Sequence, residues 1–158
     1  MADYNNPEDT MILDTSKGSV AIEMNAEVAP KHVAQIKKLV KAGFYDGIVF
    51  HRVIDGFMAQ TGCPDGTGMG GSGKNIDAEF NKETHSRGAC SMARSQMPDS
   101  ASSQFFICLA DATFLDGQYT YWGKVVEGMD IVDLLAKGEP PRNPDVINRA
   151  YMASDADA

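Results

Sequence analysis

The stretch Ile48-Val49-Phe50-His51-Arg52-Val53-Ile54-Asp55-Gly56-Phe57-Met58-Ala59-Gln60 decides the fold. β-Branched and aromatic residues flank Asp-Gly, a strong local signal for two antiparallel strands joined by a tight turn. Alternation puts Phe50, Arg52 and Ile54 on one face of the first strand, and Val49, His51 and Val53 on the other. A cation thus sits beside apolar neighbours. A two-residue turn, Asp55-Gly56, would set Arg52 opposite Ala59. A three-residue loop ending at Phe57, with a bulge, would set Arg52 opposite Gln60 and Ile54 opposite Met58. Both registers are physically open. The second gathers a guanidinium, an amide and a thioether on one apolar surface, as a small specific binding site requires.

Outward from this hairpin the chain stays rich in short strands. Residues 11–14 and 19–24 flank Thr15-Ser16-Lys17-Gly18, with Val20, Ile22 and Met24 alternating against Ser19, Ala21 and Glu23, so they read as another hairpin. Pro30 then opens a helix with Val33, Ile36, Leu39 and Val40 on one face and Gly43 at its C-terminal cap. Further strands are expected at 48–54, 57–60, 88–93, 104–109, 122–126 and 146–152. A second helix fits 129–136, closed by Gly138 before Pro140-Pro141. Eight strands and two helices predict a mainly β fold: a closed eight-stranded antiparallel barrel capped by two α-helices, because closure removes exposed sheet edges. One domain over residues 1–158 is expected, with a core from about 10 to 152, flexible termini and a solvated acidic end at 154–158.

Composition narrows the function. The 158 residues carry 14 Lys+Arg against 22 Asp+Glu, a formal net charge of -8 that repels phosphate backbones and anionic membranes unless charge is strongly segregated. No nucleic-acid or membrane partner is expected. Residues 1–10 are polar and no apolar run approaches the roughly 20 residues that span a bilayer, so the expected location is cytoplasmic and the expected state a monomer. Cys63, Cys90 and Cys108 lack a Cys-x-x-Cys pair, and His32, His51 and His85 are equally scattered, which predicts neither a disulfide framework nor a metal site. Gly68-Met69-Gly70-Gly71-Ser72-Gly73-Lys74 imitates a phosphate-binding loop, but Asn75 replaces the Ser or Thr that would hold Mg²⁺ and no long helical face follows. Without a Gly-x-Ser-x-Gly elbow, a serine hydrolase is not indicated either.

Within that stretch, Phe50 to Gln60 resembles the signature of the cyclophilin-type peptidyl-prolyl isomerases, and Ser103-Gln104-Phe105-Phe106-Ile107-Cys108 resembles a second signature of that family. Gly66-Thr67-Gly68, Ser91-Met92-Ala93, Leu115-Asp116-Gly117 and Trp122-Gly123-Lys124-Val125 follow in the family's order, so the resemblance runs from about residue 11 to 151. It implies catalysis by Arg52, with Gln60 orienting it, and no cofactor. It implies a proline pocket walled by Phe57, Met58, Phe106 and Leu115, a polar contact at Gln104, and a backbone shelf at Gly66, Ala93, Arg94 and Ser95. Proline-containing peptides and unfolded protein clients are the implied partners.

Three positions of the binding surface depart from the best-known eukaryotic pattern. Arg94 replaces Asn, Phe114 replaces Trp and Tyr119 replaces His, as bacterial members commonly show. The change at Arg94 costs little if the shelf binds through its backbone, whereas Phe114 removes an indole N–H and weakens the expected cyclosporin binding. Two other functions compete with the isomerase: a non-catalytic proline-binding or chaperone module using the same pocket, and nucleotide binding at residues 68–74.

Overall fold

The computed structural model describes residues 6–68, 70–97 and 99–155; of the ends expected to be flexible beyond about 10–152, residues 1–5 and 156–158 lie outside the described residues, as does Met69 of the glycine stretch. Chain order gives β1 (Thr10–Thr15), β2 (Gly18–Met24), α1 (Pro30–Lys41), β3 (Arg52–Ile54), β4 (Met58–Thr61), β5 (Ala89–Met92), β6 (Phe105–Cys108), β7 (Tyr121–Glu127), α2 (Met129–Asp133) and β8 (Ile147–Met152). The strands form one antiparallel sheet in the order β3-β4-β6-β5-β7-β2-β1-β8.

The closed barrel expected from the strand count is corrected to an open half-barrel. Among the described residues its two edge strands, β3 and β8, share no ladder. The reason lies at the seam. Val53 exchanges both backbone hydrogen bonds with Gly138, at 2.8 Å each. Beyond Gly138 come Pro140 and Pro141, which have no N–H with which to extend a strand. The stretch expected as a strand over 48–54 is accordingly three residues long, preceded by a single Val49–Val146 bridge and by Phe50 N–H donating to Asp145 O at 2.8 Å.

Helix α1 forms as its pattern predicts, burying Val33, Ile36 and Val40. It ends where Gly43 takes φ +75°: Gly43 N–H donates to Val40 O and Phe44 N–H to Leu39 O, a Schellman closure that a residue with a Cβ adopts only at a cost. Helix α2 stops three residues short of expectation, at Asp133 rather than 136. There the Ala136 N–H turns to the Asp145 carboxylate (2.8 Å) instead of to the preceding helical turn.

The sheet has two apolar faces. The inner face, with Met11, Leu13, Ile22, Phe105 and Trp122, packs with α1 and Leu135 into the main core. The outer face carries a smaller cluster of Met58, Ala89, Phe106, Cys108, Ala112 and Leu115. Among the described residues no helix is long and apolar enough to cross a membrane. No group of His, Cys, Asp or Glu there is arranged to hold a metal, and all three cysteines are free and buried.

Candidate active site

The β3–β4 turn fixes the register that sequence physics left open. Phe57 N–H closes on Ile54 O at 3.0 Å, and Gly56 sits at the third turn position with φ +73°, the left-handed conformation a type II turn needs there. The loop therefore spans three residues and Arg52 lies opposite Gln60, with Ile54 opposite Met58. One strand further, Gln60 pairs with Phe106 and Met58 with Cys108. Two rows of side chains thus cross the outer face, one polar at its β3 end and one apolar throughout.

A relay of amide hydrogen bonds ends on the cation. Gln104 Nε2 donates to the carbonyls of Gly68 (3.0 Å) and Gly70 (2.8 Å), which leaves its Oε1 to accept from Gln60 Nε2 at 2.9 Å. Gln60 Oε1 in turn accepts from Arg52 Nη1 at 3.4 Å. The remaining restraint is Glu139, whose carboxylate accepts from Arg52 Nε at 2.9 Å. Both partners of that ion pair are substantially exposed, so it contributes at most about 1 kcal/mol.

Beside the guanidinium opens a cavity of about 160 Å³, walled by Arg52, Phe57, Met58, Gln60, Ala93, Arg94, Phe106, Leu115 and Tyr119. The ring of Tyr119 stands edge-on to Phe106 at 5.7 Å between centroids. Ser95 and Gln104 line an adjoining hollow of about 480 Å³ that shares Gln60, Ala93 and Arg94 with the first. Gly66 and Phe114 line neither. Phe114 is 66% exposed, tilted against Phe57 at 5.8 Å, and so forms a rim. The Arg94 guanidinium donates to Gln118 O (2.6 and 3.0 Å), to Ser95 O and to Gln96 O, and lies 4.8 Å from the Tyr119 ring centroid. Along the shelf, Ala93 N–H is spent on Gln104 O and Ser95 N–H on Ser100 Oγ.

Two features escaped the sequence reading. Glu139 lies 87 positions from Arg52 with no local signal linking them. The second is a string behind the pocket wall: Asp116 Oδ1 meets His85 Nδ1 at 2.8 Å, and His85 Nε2 meets Ser91 Oγ at 2.9 Å. Thr84 and His85 hydrogen bonds, the Thr84 hydroxyl first, hold the Asp116 carboxyl below the usual carboxylate range. The string has the members of a hydrolase triad, but Ser91 is fully buried and out of reach of any substrate. The His85 ring lies nearly parallel to Phe106, and it supports that wall from behind.

With this geometry in place, the family model described as cyclophilin type peptidyl-prolyl cis-trans isomerase/CLD matches residues 10–152. The chain belongs to the cyclophilin-type peptidyl-prolyl isomerases. A probable peptidyl-prolyl cis-trans isomerase of Brucella suis is 50% identical over 167 aligned positions, covering 95% of this chain and 85% of the relative. Peptidyl-prolyl cis-trans isomerase B of Bacillus subtilis is 44% identical, covering 76% and 85%. The crystal structure of cyclophilin AquaCyp293 from Hirschia baltica superposes with a TM-score of 0.87 at 34% identity, over 94% of this chain and 75% of that one. A Cryptosporidium parvum cyclophilin, crystallised in the presence of the dipeptide Ala-Pro, superposes with a TM-score of 0.84 at 29% identity, over 90% and 98%. This cyclophilin is therefore an isomerase enzyme, and the half-barrel is the family's fold.

Proposed function

We propose that this chain binds proline-containing segments of unfolded clients in the 160 Å³ cavity and speeds rotation about the Xaa-Pro bond through Arg52. A prolyl bond has little cis–trans preference but a barrier of about 18–20 kcal/mol, because planar amide resonance must be broken. As the bond twists, the lone pair returns to the proline nitrogen, which accepts a hydrogen bond in the transition state and hardly at all in the planar ground state. A donor held at that nitrogen lowers the barrier selectively. The observation that carries this reading is the Gln104–Gln60–Arg52 relay, which holds a permanent cation at the rim of an apolar hollow.

One such donor is worth about 2–4 kcal/mol, so the pocket supplies the rest. Met58, Phe106 and Leu115 grip the ring while the shelf holds the chain on the far side of the rotating bond. With the Ala93 and Ser95 amides engaged, the Arg94 amide is the shelf's donor toward peptide. Phe114, an exposed rim without an indole N–H, makes cyclosporin binding weak.

The test is exchange NMR or a protease-coupled assay on an Ala-Pro peptide. Arg52→Ala should lower kcat/KM by about a hundred- to a thousandfold. Full activity in that variant removes the mechanism, and peptide binding without accelerated exchange in the unmodified protein favours a non-catalytic proline-binding module.

A further inference from the structure

The cavity beside Arg52 is one end of a longer path. It shares Gln60, Ala93 and Arg94 with the neighbouring hollow, which is lined largely by glycine backbone and serine hydroxyls. That hollow shares Asn75 with a further cavity of about 340 Å³, lined by Lys31, Gln35, Lys38, Lys74 and Asp77 among others. Cations mark the whole path in a chain whose formal net charge is -8. Lys31 is matched by Asp77 at 3.2 Å. Among the described residues Lys38, Lys74 and Arg94 form no ion pair, and Arg94 is answered by carbonyl oxygens and ring faces alone. The nearby Glu79 is already spent on the backbone N–H groups of Lys31 and His32 and on the His32 ring.

This far cavity has fixed walls. The half of α1 that faces it carries Lys31, Ala34 and Lys38 at helical spacing. Gln35, buried on the same helix, donates to Ser72 Oγ at 3.1 Å, and Ser72 is tied to Ser102 at 2.7 Å. Helix and glycine segment are thus stapled together, so Lys38 on one and Lys74 on the other stand across a shared opening. No helix follows Lys74, so the resemblance of 68–74 to a phosphate loop leaves a lysine without the N-terminal helical turn that would complete such a site.

We propose that the three hollows form one substrate groove and that preferred clients carry a run of acidic residues on one side of the proline, received by Lys38 and Lys74. The idea rests on the isomerase reading and sharpens it from any proline to prolines flanked at a distance by Asp or Glu. Exposed charge pairs of this kind give modest selectivity, about two- to fivefold in kcat/KM, expressed mainly in KM. That selectivity fades as salt rises from about 0.1 M to about 1 M and the Debye length falls from ~10 Å to ~3 Å.

The experiment compares peptides with one Ala-Pro core: neutral flanks, glutamates placed before the proline, and glutamates placed after it. Expected is a lower KM for one acidic placement only, abolished in the double variant K38Q/K74Q, with the neutral peptide as internal reference. Equal rates for all peptides, equal gain from both placements, or an unchanged preference in the double variant each overturn it. So does saturable binding of inorganic phosphate or ATP at these lysines without peptide preference. Absence of catalysis on every peptide instead strikes the isomerase reading. In that case NMR shifts at Lys38 and Lys74 on adding the acidic peptides, present or absent, decide the groove by themselves.

Discussion

Phe105 and Phe106 are neighbours on β6, both buried, yet they belong to different parts of the molecule. Phe105 points inward, edge-on to Tyr45 at 5.6 Å and to Trp122 at 5.4 Å, with atoms on every side. Phe106 points outward onto Met58 and Leu115, with one face on the cavity and the other backed by the His85 ring. Burial alone does not separate core from site on a two-faced sheet; the side of the pleat does. Because side chains alternate, one strand holds the fold together and presents the wall of the outer cavity in successive residues.

The sharpest way to break this contrast is to truncate each ring. Phe105→Ala should cost about 3–5 kcal/mol of stability by denaturant unfolding, since it leaves a sealed cavity among rigid neighbours. Whatever remains folded should keep its turnover. Phe106→Ala opens onto solvent and should cost less than about 3 kcal/mol, but on the proposed function it should lower kcat/KM at least about tenfold, because the ring proposed to grip proline is gone. If both variants lose stability alike and the folded Phe106 variant stays fully active, the outer cluster is ordinary core.

How much of this was legible beforehand follows from range. The alternation at 48–54 and 57–60 put Arg52, Gln60 and Met58 on candidate faces, and the ordered motifs implied which face mattered. The choice between two registers was not readable from strand pattern, because it depends on one hydrogen bond, Phe57 N–H to Ile54 O. The open seam was missed for a related reason. Pro140 and Pro141 were read locally, as a stop after a helix, whereas their larger effect is on β3, far earlier in the chain, whose outer edge they leave without a full partner strand. Glu139 and the backbone carbonyl of Gln118 that holds Arg94 are likewise long-range partners without a local periodicity to betray them.

A second contrast lies within the site, between the apolar grip and the amide relay. Gln104→Ala removes the carbonyl that fixes Gln60 and leaves the apolar wall intact. The hydrogen bond lost is worth about 1 kcal/mol, so kcat should fall roughly fivefold while KM stays nearly constant. A fall confined to KM would mean that the relay binds peptide rather than aiming the guanidinium.

The smallest predicted effect compares the histidines by region. His32, on the buried face of α1, is fully buried, its Nδ1 2.7 Å from Glu79 Oε1 and its Nε2 without a partner. Burial lowers its pKa from 6.5, and Glu79 opposes that only in part. His51, beside the relay, is lowered by burial and then by the charge of Arg52. A base with a depressed folded-state pKa binds its proton more readily when unfolded. Stability contributed this way is complete above about pH 6.5 and is lost as pH falls through that value toward the folded-state pKa. Each histidine can contribute a slope of at most about 1.4 kcal/mol per pH unit. The paired Asp116, Asp133 and Asp145 act lower, below their ordinary value of 3.8, so the interval between about pH 4 and 6.5 belongs to the histidines. Denaturant unfolding across that interval should show stability declining with acidity, and His32→Asn should flatten the curve by up to one proton's slope. A curve that is level there, or that rises toward pH 5, would mean that Glu79 has already won the competition with burial and that His32 is charged in the folded protein.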